Sequence, residues 1–72
     1  MNSSMRSLAA EYDYCISVQK DVIARYREQL HIAQKKRDYK EVQRIQSLLH
    51  ILYDEKYELE ENLGEIKRYL GS

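Results

Sequence analysis

The sequence predicts an all-α fold, an antiparallel two-helix hairpin with a coiled-coil-like seam, and three observations carry that prediction. Apolar or large residues recur at Ala9, Tyr12, Ile16, Ile23, Tyr26, Leu30 and Ala33, with Gln19 in the one polar place, in alternating steps of three and four. The same rhythm resumes at Val42, Ile45, Leu49, Leu52, Leu59, Leu63, Ile66 and Leu70, with Lys56 in its polar place. The two runs are out of phase. Nine residues separate Ala33 from Val42, which at about 100° per residue sets the second stripe roughly half a turn from the first. One straight helix would carry its stripes on opposite sides, where no single partner could cover both, so the chain must reverse. The third observation is composition: no Pro, 2 Gly and 33% charged residues suit long helices better than sheet or disorder.

The elements follow in order within a single domain, 1–72. Residues 1–4 are expected to fray, with Asn2, Ser3 or Ser4 available to cap the first helix. That helix is expected over about 5–36, closing on Lys35 and Lys36 with Arg37 just beyond, where positive charge suits the negative end of the helix dipole. The turn falls at about 37–38 and contains neither Gly nor Pro. Asp38 is placed to cap the second helix, and Glu41 completes a D-x-x-E form of the capping box. The second helix is expected over about 39–70, with Gly71 as its terminator. Gly64 lies inside it, off the seam, at a cost of about 1 kcal/mol relative to Ala.

Folded about the turn, seam residues meet in layers whose numbers sum to 75: Ala33 with Val42, Leu30 with Ile45, Tyr26 with Leu49, Ile23 with Leu52, and outward to Ala9 with Ile66. The two polar seam residues, Gln19 and Lys56, share one layer, where they can exchange a hydrogen bond while the ammonium reaches outward. A polar layer lowers stability but fixes register, because a slip would oppose either residue to leucine.

Not every apolar residue belongs to the seam. Leu8, Cys15 and Val22 flank it at seven-residue spacing, with Val18 beside them. Leu48 and Ile51 flank it on the second helix, roughly level with Val22, and Tyr53, Tyr57 and Tyr69 add aromatic surface. A stripe this wide suits a helix in a bundle. The expectation is a homodimer, a four-helix bundle whose interface is built from Leu8, Cys15, Val18, Val22, Leu48 and Ile51. Charge bears on its orientation. Between Arg25 and Arg44 seven basic residues outweigh three acidic ones, about +4, and the remainder carries nine acids against five bases, about −4. Two hairpins side by side would therefore favour opposite directions.

Overall charge balances at 12 basic and 12 acidic residues, which removes the simple electrostatic case for a nucleic-acid or membrane protein. No apolar run reaches the ~18 residues of a membrane span, the N-terminus lacks the apolar core of a signal peptide, and Cys15 is alone. A cytoplasmic location is expected.

No catalytic constellation, metal site or cofactor motif is visible, and the chain is expected not to be an enzyme. His31 and His50 fall at outward heptad positions opposite Arg44 and Arg25, not opposite each other. Cys15, among apolar and acidic neighbours, is expected as a buried structural thiol. No Gly-rich phosphate loop is present. The alternative function is nucleic-acid contact through the basic turn, using Lys35, Lys36, Arg37, Lys40 and Arg44 with Tyr39 nearby. Cations at a helix C-terminus are ordinary, so the favoured expectation is a protein–protein interaction or regulatory module.

The segment from Ala33 through Arg37-Asp38-Tyr39 to Val42 and Ile45, followed by Leu49 and Leu52, resembles the UVR hairpin of bacterial excision-repair subunits and protein-quality-control adaptors. The likeness covers about 20 of the 72 residues and departs from the family at Val42-Gln43 and Gln46-Ser47, where that pattern has Ala-Ala and a following Arg-Asp. It implies binding of another protein through the hairpin.

Overall fold

A computed structural model describes residues 2–71, with side-chain surroundings from Ser4 to Gly71. Two helices, α1 (Asn2–Lys35) and α2 (Tyr39–Gly71), pack antiparallel into a rod of 54 × 14 × 13 Å. Its radius of gyration, 16.3 Å, exceeds the about 11 Å of a compact chain of this length.

The core is the seam. Ala9, Ile16, Ile23, Ala33, Ile45, Leu49 and Leu63 are buried, and every one is a seam position. They fall into two clusters. Near the turn, Ile23, Ala33, Ile45 and Leu49 are packed by Tyr26, Leu30, Val42, Leu52 and Tyr53. Toward the open end, Ala9, Ile16 and Leu63 are packed by Tyr12, Leu59, Ile66 and Leu70. Between the clusters lies the Gln19–Lys56 layer, but its hydrogen bonds are not the expected one. Gln19 Nε2 donates to the Leu52 carbonyl at 3.3 Å and to Glu55 Oε2 at 3.0 Å. Lys56 Nζ turns along its own helix to Glu60 Oε1 at 3.3 Å and sits 4.9 Å from the Tyr57 ring centroid. The reason is reach: the carbonyl of Leu52 and the carboxylate of Glu55 flank Gln19, whereas the lysine stem is long enough to carry its charge out of the seam. Tyr53, expected as surface, is half-buried against the turn-side cluster.

The turn takes its shape from the backbone. The Asp38 amide donates to the Ala33 carbonyl at 3.0 Å and the Arg37 amide to the Gln34 carbonyl at 3.1 Å. Together these form a Schellman closure of α1, with Arg37 at φ 56° in the position usually held by glycine. This closure ends α1 at Lys35, one residue short of the expected Lys36. The Asp38 carboxylate accepts from the Glu41 amide at 3.3 Å, so it caps α2 as expected. The return half of the capping box is absent, because the Asp38 amide is already given to Ala33 and the Glu41 carboxylate is given to Arg44.

Both open ends run further than expected. Asn2, Ser3 and Ser4 lie inside α1 rather than fraying ahead of it, and the position that would precede them, residue 1, lies outside the described residues. Gly71 is the last helical residue of α2 and has no positive φ, so it extends the helix instead of capping it. By the layer arithmetic Gly71 and Ser4 lie level, so the two helices extend by matching amounts.

Candidate interaction surface

The sides of the rod follow from the heptad. With Ala9 as position a, antiparallel pairing sets the g positions of both helices on one side of the seam and the e positions on the other. The observed contacts agree. A groove near the turn is walled by Gln29, Ile32, Lys36 and Glu41 over buried Ala33 and Ile45, which is the g side. On the e side, a second groove runs past Lys20, Arg27 and Tyr53, and Lys67 lies 3.9 Å from Asp13.

All six expected interface residues occupy g or c positions, so they share the g side. Leu8 and Val18 are each 41% exposed and Ile51 53% exposed. Val22 and Leu48 are half-buried. Cys15 is exposed, contrary to the expected buried thiol, because the seam buries the neighbouring Ile16 and nothing in the single chain covers Cys15 beside it. Ile32, 46% exposed, belongs to the same side and had not been singled out. The signal was present: Val18, Arg25 and Ile32 are successive c positions, and the intervening arginine masks the repeat.

The chain exposes 5803 Å², about 1,100 Å² more than the roughly 4,700 Å² usual for a folded monomer of 8.7 kDa, as its elongated shape of 54 × 14 × 13 Å requires.

The basic turn is on the surface. Lys35, Lys36, Arg37, Lys40 and Arg44 are all exposed, as is Tyr39. Arg44 is committed locally: its Nε donates to Glu41 Oε2 at 3.1 Å and its terminal nitrogen contacts Glu41 Oε1. This hydrogen bond, helped by the guanidinium charge, holds the Glu41 carboxyl below the usual glutamate range, and the same bond raises Arg44. Lys35, Lys36, Arg37 and Lys40 are therefore the members of the set offered to an external anion.

His31 and His50 are exposed, with His50 Nε2 3.5 Å from Asp54 Oδ2. Among the described residues no group of three or more His, Cys, Asp or Glu side chains is placed to hold a metal ion. No described helix is long and apolar enough to cross a membrane. An added Cβ at Gly64 would meet nothing within 4 Å, so the glycine is not demanded by packing within the hairpin.

The fold thus defines an antiparallel α-helical hairpin with one apolar side left uncovered by its own chain. Compared with known proteins, the chain matches no family model, no curated protein and no solved structure. The resemblance of residues 33–52 to the UVR hairpin accordingly assigns no family.

Proposed function

We propose that this chain is a non-enzymatic protein–protein interaction module of the cytoplasm, with a regulatory role exerted through a four-helix bundle formed by two copies. The observation that carries the reading is the uncovered apolar line of Leu8, Val18, Ile32 and Ile51 beside the seam. Burying such a line removes apolar surface from water at about 25 cal/mol per Å² before association costs. A hairpin with a single seam and seven buried residues among those described has little core of its own, so covering its second side is the available source of further stability. A lone, unpaired Cys15 suits a reducing compartment.

The test is mass in solution. Sedimentation equilibrium should give about 17 kDa, twice the 8.7 kDa chain, and Val18→Glu with Ile51→Glu should return it to the monomer mass while circular dichroism keeps its helical signal. A native chain that stays at 8.7 kDa at every accessible concentration contradicts the reading. The exposed Lys35, Lys36, Arg37 and Lys40 favour a second reading, nucleic-acid binding at the turn. It requires a salt-sensitive gel shift with RNA or DNA that disappears when Lys35, Lys36 and Arg37 are neutralised.

A further inference from the structure

Resting on the dimer just described, we infer that the second copy lies antiparallel along the g side, centred near the Gln19–Lys56 layer. The basic turn of each hairpin then sits beside the acidic open end of the other. Two independent features of the chain lead there.

The first is the position of the stripe. Its outermost members on α1 are Leu8 and Ile32, and their midpoint is residue 20, beside the polar layer. A twofold axis at that level, crossing the rod, lays α1 against the partner's α1. It brings Leu8 beside the partner's Ile32 and Val18 beside the partner's Val22, matching g positions with c positions along α1, while on α2 Ile51 falls level with the partner's Leu59 and Leu48 with the partner's Asn62. Sliding the copies apart by a heptad would leave an apolar end residue of each facing water.

The second is charge. Lys35, Lys36, Arg37 and Lys40 at the turn are exposed, and Glu58, Glu61 and Glu65 toward the open end are exposed too. With the turn end at about +4 and the remainder at about −4, an antiparallel pair sets opposite charges together at both ends. A pair with both turns at one end sets like charges together twice, a repulsion that acts within a Debye length of about 8 Å at physiological salt.

The native chain carries the reporter for this geometry. In one hairpin Lys40 and Lys67 lie at opposite ends: Lys67 is level with Leu8 and Lys40 with Lys35, about 40 Å apart along the axis. In the antiparallel dimer each Lys40 lies within one turn of the axial level of the partner's Lys67; Lys67 sits on the e side, away from the contact, so the link runs around the outside of the paired second helices. A short amine-reactive linker should therefore join Lys40 to Lys67, identified by mass spectrometry of the 17 kDa band. Links joining Lys36 or Lys40 to the same residues of the partner, without Lys40–Lys67, overturn the orientation while leaving the dimer standing. Absence of any 17 kDa species, by linking or by sedimentation, overturns the dimer itself.

A second measurement avoids lysine chemistry. Nitroxides on Tyr39→Cys in a Cys15→Ser background, once its mass has been shown to be dimeric, should give an interchain distance of about 50 Å. A distance below about 30 Å would place both turns at one end and refute the inference.

Discussion

Single residues set the stability of the hairpin, and three of them give separable expectations. Leu49 is buried in the turn-side cluster, and Leu49→Ala should cost about 2–5 kcal/mol in chemical denaturation. A change under about half a kcal/mol would mean the side chain is not in the core. Arg37 holds a left-handed φ of 56°, which costs an ordinary residue about 1 kcal/mol or more. Arg37→Gly should therefore raise the denaturation midpoint, and a fall would show that the arginine side chain makes a stabilising contact. Gly64→Ala should add about 1 kcal/mol, since the new methyl group meets nothing within 4 Å in the hairpin. A loss of stability or of dimer mass on that substitution would move the interface to the side bearing Gly64. These residues also mark what the sequence could and could not reveal. The burial of Leu49 follows from its place in the three–four rhythm. The left-handed turn at Arg37 does not, because glycine is the usual sign of that conformation and the chain closes α1 without one.

At the scale of the helices, the caps and the polar layer decide where each element stops and how the two align. Asp38→Ala should cost about 1 kcal/mol by removing the acceptor for the Glu41 amide, measurable by thermal denaturation followed at the helical band. The cap was legible because Asp followed three residues later by Glu is a local pattern. The fate of the Glu41 side chain was not, since Arg44, one turn further on, competes for it. Because that bond lowers the Glu41 pKa, its contribution is present above the ordinary glutamate range and lost as pH falls through the lowered value. Glu41 is solvent-accessible, so the effect on stability should be small and should fade with added salt. The polar layer makes a stronger prediction. Gln19→Leu removes the bonds to Leu52 and Glu55 and sets an apolar side chain against the Lys56 stem, and it should raise the melting temperature while loosening register. A lower melting temperature would show that the glutamine bonds outweigh the apolar gain. Sequence alone placed Gln19 and Lys56 in one layer but not their partners, because a backbone carbonyl leaves no mark in the amino-acid string.

For the whole molecule, the phase break between the two stripes was sufficient to specify a hairpin, and every buried residue among those described lies on the seam it defines. The open ends were less legible, because neither Ser4 nor Gly71 favours helix by itself and both are exposed in it. The candidate interface was read from heptad spacing in six of its positions, and Ile32 was lost behind Arg25. The proposed function depends on the reversal at Arg37–Asp38, because it alone gathers the uncovered apolar residues of both helices on one side. The most direct test is a distance within one chain. Nitroxides on Tyr14→Cys and Glu61→Cys in a Cys15→Ser background, diluted with unlabelled protein, sit on outward positions of one layer. The hairpin predicts a separation of about 20–30 Å, from two helices packed at roughly 10 Å with labels on their outer faces. A continuous helix through the turn would hold the same labels about 70 Å apart and contradict the account.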